Sequence, residues 1–339
     1  MAKQNRGRTV RFCLALNAGL ILAALGFAAT PGLRLEPAGA PGAVPQDTRV
    51  VVNIPAYRMD LFQDGKLVKS YRIGIGYPEF PLPIGVRTAD EIIISPTWTP
   101  PNEAWVDSPR SKVKAGRKVA AGSKLNPLGP IKIPIGLPSL IHGGKMPGAI
   151  GGFASHGCVG LTDAEVLDFA MRLAHAGGTG ISDQQMQEDL KNKRETKAIK
   201  LNKPVPVELR YEPIVVQDGR LHIYRDVYAQ GTDTPDNAAA VLQAYGVAPD
   251  QLTPEQRRQV ITALGKMERD ANGNPVTRTA EVASTPKKGT TPHVTRIIKG
   301  QKEVVIDIPA LKGKGYPDPV GFDVQGSQRK LPAGRRTRR

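Results

Sequence analysis

Two of the chain's five histidines and one of its two cysteines fall within seventeen positions of one another: His142, His156 and Cys158. The sequence there reads Ile141-His142-Gly143-Gly144, a glycine-rich span, then Ala154-Ser155-His156-Gly157-Cys158-Val159-Gly160-Leu161. A thiolate is a strong nucleophile, and a free cysteine of pKa about 8.5 needs help to ionise near neutrality. An imidazole within hydrogen-bond reach is the usual activating base. Gly157 and Gly160 let the backbone bend around Cys158, and the N–H groups of Gly157 and Cys158 are natural donors to an oxyanion. A helix beginning just after Thr162 would add the positive end of its dipole. The chemistry these residues imply is acyl transfer through a thioester.

Within the cluster, His142 is the better base candidate. It stands where a strand ends and a glycine loop begins, and the Gly143 carbonyl is free to orient its second ring nitrogen. His156 shares the Cys158 side of an extended segment. Two other readings stand beside the catalytic one. His142, His156 and Cys158 are zinc-ligating types, although they lack paired spacing and make only three ligands. A free cysteine is also commonly buried and inert. Of the other histidines, His175 is expected to complement a helix C-terminus, His222 to lie on a strand surface and His293 to fall in a tail.

The elements that must hold the cluster follow from local pattern. Residues 49–55 form an apolar run, and residues 57–62 and 66–75 flank Asp64-Gly65, a hairpin signal. Short strands are expected over 91–95, 131–135 and 139–142, the last ending on His142. The mostly polar stretch from Trp98 to Lys124 is expected to be irregular. Thr162 with Glu165 makes a capping box for a helix over 163–175, with Val166, Phe169, Ala170 and Leu173 as its apolar stripe. A polar helix capped by Ser182 is expected over 183–193. Residues 205–216 and 221–224 flank Asp218-Gly219 as a closing hairpin. Thr234-Pro235 and Thr253-Pro254 open two short amphipathic helices, over 236–245 and 255–269. Residues 304–308 have the pattern of one more strand.

The whole chain sets the setting. With 339 residues, 40% hydrophobic and 23% charged, it has the composition of a globular protein and the length of one large domain with an appendage or of two domains. A net charge of +16 points to an anionic neighbourhood. Lys3, Arg6, Arg8 and Arg11 precede an apolar run over 12–29, the layout of a secretory signal or, if uncleaved, of a membrane anchor. Either exports the rest to the periplasm or cell envelope and argues against a nucleic-acid partner. A membrane contact is expected only if that leader stays. Removal of the leader takes Cys13 with it and leaves Cys158 without a disulfide partner. The expected organisation is a leader over 1–40, a linker over 41–47, a catalytic domain over 48–229, a helical segment over 230–270 and a basic flexible tail over 271–339. From residue 287 onward, 13 Lys/Arg face 4 Asp/Glu, so the tail offers a contact for anionic envelope polymers.

Ile141-His142-Gly143 with Ser155-His156-Gly157-Cys158 resembles the signature of the L,D-transpeptidase catalytic domain (YkuD type). Pro83 and Gly85, Asn126-Pro127-Leu128-Gly129 and Asp226-Val227-Tyr228 are similar to further family segments. The resemblance covers about 48–228. It implies a predominantly β fold with one or two helices, a sandwich or barrel, followed here by a short helical and basic C-terminal extension. It also implies an enzyme of cell-wall biogenesis and cell shape acting on peptidoglycan stem peptides, with no metal or organic cofactor. In that picture Cys158 attacks a tetrapeptide stem at its L-centre and His142 carries the proton. His156 and Ser155 shape the site, Gly157 donates to the oxyanion and Gly143 orients His142. A second stem or another acceptor then resolves the thioester. A hydrolase of the same fold and a non-catalytic wall-binding protein are the alternatives. The sequence departs from the family at Gly160, where arginine is usual, and at Gly144, where a hydroxyl residue is common. A general base at His142 leads one to expect acylation to fall as pH drops through an imidazole-like pKa.

Overall fold

The computed structural model describes residues 42–106, 111–276 and 294–322. The N-terminal unit Met1–Ala38 lies outside these, and with it the expected leader; so do residues 277–293 of the expected tail, His293 among them, and the residues after 322. Strands β1 (Arg49–Asn53), β2 (Arg58–Gln63), β3 (Lys66–Arg72), β4 (Ile75–Gly76) and β5 (Gly85–Ile94) come first. Then follow β6 (Ile131–Pro134), β7 (Leu140–His142), β8 (Phe153–Ser155) and β9 (Val159–Gly160). Helices α1 (Asp163–Ala176) and α2 (Asp183–Lys191) precede β10 (Lys197–Arg210), β11 (Ile214–Gln217) and β12 (Arg220–Tyr224). Helices α3 (Pro235–Ala244) and α4 (Pro254–Met267) and strand β13 (Glu303–Asp307) complete the order. The fold is predominantly β, as expected.

Eight strands form one mixed sheet in the order β3-β2-β1-β10-β5-β6-β7-β9. Its start is a hairpin: Asp64 and Gly65 both take positive φ, 49° and 76°, the backbone that matches a two-residue turn to the strand twist. Helix α1 lies against the sheet. Its capping box forms as written in the sequence, Thr162 Oγ1 accepting from Glu165 N–H at 3.2 Å and Glu165 Oε2 accepting from Thr162 N–H at 3.0 Å. Val166, Phe169, Ala170 and Leu173 are all fully buried on its inner face. At about 25 cal/mol per Å² of apolar surface, that stripe fixes the helix, and therefore the segment just before it.

Three expectations need correction. The run over 205–216 is not one hairpin arm. Residues up to Arg210 belong to β10, which pairs parallel with β1 and antiparallel with β5, and Pro213 separates it from β11. Strand β10 also starts at Lys197, through a stretch rich in lysine and proline; its register shifts between Lys200 and Val205, where the bulge accommodates Pro204. The flexible tail does not hold for residues 294–322. Strand β13 pairs with β12, so β11, β12 and β13 form a second sheet, and Val216, Ile223, Val241, Leu264, Ile306 and Leu311 share a second core. This core draws on both sides of the expected boundary at 229. Finally, His222 is not on a strand surface: it is buried, with Nδ1 2.6 Å from Glu303 Oε1 on β13. His175 is exposed at the end of α1 and faces Asp183 at 3.0 Å.

Between the two cores, the chain returns over the first. Val294 and Ile298 pack on the main core, and Thr295 N–H and Oγ1 both donate to the Glu79 carboxylate, at 3.0 and 2.7 Å. Farther on, Tyr316 Oη donates to the buried Asp60, and Ser70 N–H donates to Val320 O beside β3. Among the described residues, no helix is long and apolar enough to cross a membrane.

Candidate active site

Strands β7 and β9 run parallel at one edge of the main sheet, with Ile141 opposite Val159 and His142 opposite Gly160. Cys158, one residue before β9, therefore stands opposite Leu140, one two-residue repeat back from His142 on the same face. This topology brings together two residues sixteen positions apart. Cys158 is half-buried and carries a free thiol. Among the described residues no hydrogen bond joins that thiol to His142. Its surroundings are the Leu140 backbone and the charge of Lys145, both of which favour the thiolate, while burial outweighs them and pushes the thiol up from its ordinary value.

His142 is buried at the end of β7, with Nδ1 2.7 Å from Gly143 O. The loop after it is held at each step. Gly143 N–H donates to Ile131 O at 3.2 Å, Gly144 N–H to Asp163 Oδ1 at 2.7 Å, and Lys145 N–H to Leu161 O at 3.1 Å. Gly144 has φ +77°, and a β-carbon there would sit 2.4 Å from Pro127 O, so no hydroxyl-bearing side chain fits. The Asn126–Gly129 turn thus packs directly on the loop that carries His142. Burial and the Lys145 ammonium lower the His142 pKa to about 3, against the opposing pull of backbone hydrogen bonds to Gly143 and Leu128. The imidazole is neutral at physiological pH.

The loop before Cys158 is closed on itself. Cys158 N–H donates to Ser155 Oγ at 2.9 Å, and that hydroxyl donates to Cys158 O. The Cys158 N–H, expected to face an oxyanion, is therefore already engaged. Gly157 has φ +92°, and among the described residues its N–H makes no hydrogen bond. His156 is walled by aromatics: Trp105 stacks on it at 4.0 Å and 13°, Phe80 meets it edge-on at 4.8 Å and Tyr77 at 5.0 Å. Burial first, then the charges of Lys145 and Arg296, lower its pKa to about 4. Arg296, on the returning segment, lies 5.6 Å from the centre of the Tyr77 ring. Tyr228 pins this wall in place, its hydroxyl donating to Gly76 O at 3.1 Å and accepting from Leu82 N–H at 3.2 Å.

Sequence reasoning missed Tyr77, Phe80, Trp105, Lys145 and Arg296. One signal was available: aromatics make up only 5% of the chain, and both tryptophans fall in the loop assigned no structure. The three residues considered as zinc ligands do not form such a set; among the described residues no group of three His, Cys, Asp or Glu is arranged to hold a metal. What remains is a half-buried thiol, a neutral imidazole with one nitrogen committed to a carbonyl, a free amide N–H and an aromatic wall.

Residues 47–205 match the family model of the L,D-transpeptidase catalytic domain, YkuD. No curated protein matches the chain. Among solved structures it is similar to the Ldtfm–avibactam carbamoyl enzyme, at 17% identity over 49% of this chain and 49% of that one, with a TM-score of 0.30. It is also similar to an L,D-transpeptidase from Mycobacterium smegmatis, at 15% identity over 48% of this chain and 58% of that one, with a TM-score of 0.28. A third is the catalytic domain of the E. faecium L,D-transpeptidase, at 18% identity over 50% of this chain and 100% of that one, with a TM-score of 0.29. The chain spans about half the length of the first two. The segment 47–205, which carries His142 and Cys158, belongs to the L,D-transpeptidase catalytic-domain family.

Proposed function

We propose that this protein is an exported peptidoglycan L,D-transpeptidase that works through a cysteine thioester. The observation that carries the reading is the placement of Cys158 and His142 on one face of the parallel pair β7 and β9, with the imidazole neutral and oriented by Gly143 O. With Nδ1 directed at that carbonyl, Nε2 is the nitrogen that accepts a proton. It takes the Cys158 proton as the sulfur attacks the carbonyl at the L-centre of a tetrapeptide stem. The Gly157 N–H receives the oxyanion. Collapse breaks the C–N bond, His142 gives its proton to the departing D-residue amine, and the acyl group stays on sulfur. An amine of a second stem then attacks the thioester and releases the thiol. The aromatic wall around His156 offers apolar surface for the stem backbone. The basic, then apolar, leader supports an exported site of action, and the basic C-terminal residues support contact with anionic envelope polymers.

Incubation of the pure protein with tetrapeptide-stem muropeptides, read by mass, tests the reaction. Cross-linked dimers are expected. Shortened stems would assign the hydrolase reading, and unchanged stems a wall-binding role without catalysis.

A further inference from the structure

Gly160 faces the same side as Cys158, two residues on, and the side chain of Lys145 lies over it. A β-carbon at position 160 would meet Lys145 Cγ at 2.8 Å, Cε at 2.9 Å and Cδ at 3.3 Å. The Lys145 stem therefore fills the space that a side chain at 160 would take. Its origin is fixed, because Lys145 N–H donates to Leu161 O, between β9 and α1. Lys145 itself is only partly exposed, and among the described residues its ammonium pairs with no carboxylate and donates no hydrogen bond. A half-buried cation without a counter-ion is costly unless an anion comes to it. The group that acts on it with opposite charge is the Cys158 sulfur: burial pushes the Lys145 ammonium down and the Cys158 thiol up, and each opposes that shift in the other.

The remaining charged groups around this point do not supply the missing partner. Asp163, at the start of α1, accepts from Gly144 N–H, and Glu165 is held in the Thr162 capping box. His142 on β7 and His156 before β9 are both kept neutral, Lys145 contributing to each. Arg296, on the returning segment, adds a second positive charge near His156.

We propose that Lys145 is the positioning residue of the nucleophile: seated in the notch at Gly160, its ammonium stabilises the Cys158 thiolate. When His142 takes the thiol proton, the S–H bond breaks and the electron pair stays on sulfur beside the ammonium. No other reactant is needed. When the thioester forms, the ammonium loses that partner and is left facing the acyl group, which favours the return to thiolate in the second half-reaction. The inference rests on the thioester reading for its purpose, but the ionisation of the thiol is a property of the enzyme without substrate.

The test is the pH dependence of Cys158 alkylation by iodoacetamide in the full-length protein, for wild type, Lys145→Met and Lys145→Arg. Methionine keeps an unbranched stem over Gly160 and removes the charge; arginine restores the charge. Lys145→Met is expected to move the alkylation inflection up by about one pH unit, so that the rate below the inflection falls about tenfold. Lys145→Arg is expected to return most of that loss. An unshifted inflection in a Lys145→Met protein of native melting temperature would overturn the proposal, as would an arginine variant as slow as the methionine one. Should methionine prevent folding, Lys145→Gln gives the same reading. Failure of cross-linking with the inflection shifted would count against the transpeptidase reading alone; an unshifted inflection with cross-linking intact would count against the role of Lys145 alone.

Discussion

Trp105 stacks on His156 at 4.0 Å between ring centres, with the planes 13° apart. The loop that looked structureless therefore supplies one wall of the site, and the wall keeps water from the imidazole beside the nucleophile. Trp105→Ala is predicted to raise the His156 pKa from about 4 toward its ordinary 6.5, readable by NMR titration of the ring. Acylation should slow by about two- to tenfold, the equivalent of the roughly 0.5–1.5 kcal/mol carried by an aromatic pair. A His156 titration that stays where it is would show that the stacking does not set its environment.

Gly160→Ala adds the β-carbon that Lys145 now excludes, 2.8 Å from Cγ. The lysine stem is flexible and should give way, so the fold is expected to survive. The ammonium then leaves the thiol, and the alkylation inflection should rise as in Lys145→Met. Because both changes remove one interaction, the double variant should be no slower than the worse single one. Additive losses would mean that the two residues act separately.

The pH dependence of acylation should differ from that of an ordinary imidazole base. Burial and the Lys145 charge hold His142 to a pKa of about 3, so its protonation lies well below the range expected from the sequence. The acylation rate is predicted to show no acid inflection between about 5 and 7, the range in which an unperturbed histidine titrates. The same shift affects stability. Between about 3 and 6.5 the unfolded chain binds a proton at this position that the native state does not, so stability should fall as pH drops through that window. An acid inflection near 6.5 in single-turnover acylation, with the protein folded, would contradict the buried neutral imidazole.

A second pH effect involves Asp233. Asp233 is fully buried, and neither carboxyl oxygen makes a well-formed hydrogen bond among the described residues. Desolvation, with the neighbouring carboxylates Asp226 and Glu268, raises it to about 8. Here the sign is opposite: the native state holds a proton that the unfolded chain has lost, so stability should fall as pH rises from about 4 to about 8. Asp233→Asn removes that charge. Its melting temperature is predicted to exceed that of wild type by more at pH 8 than at pH 5. An equal difference at both values would place the Asp233 charge in water.

Much of this site was legible in the sequence because its signals are local. The capping box of Thr162 and Glu165, the two Asp-Gly turns and the strand ending at His142 each depend on a few adjacent residues. The roles around them were not legible, because they come from strand order. Lys145 reaches Gly160 only once β9 pairs with β7, and Arg296 reaches Tyr77 only once the chain returns from the second sheet. The first part of strand β10, over 197–204, was missed for a different reason. Its lysines and prolines carry a loop's composition, yet its central place between β1 and β5 and the bulge at Pro204 override that preference. Gly160, a departure from the family pattern on sequence, has a physical partner in the structure.

Every step of the proposed reaction passes through Cys158 as the nucleophile. The most direct measurement is the intact mass of the protein after exposure to a carbapenem-type acylating agent, for wild type and for Cys158→Ala. One covalent adduct is predicted on wild type and none on Cys158→Ala, with both proteins showing the same melting temperature before exposure. An adduct that persists on Cys158→Ala would contradict the assignment of the nucleophile and the mechanism built on it.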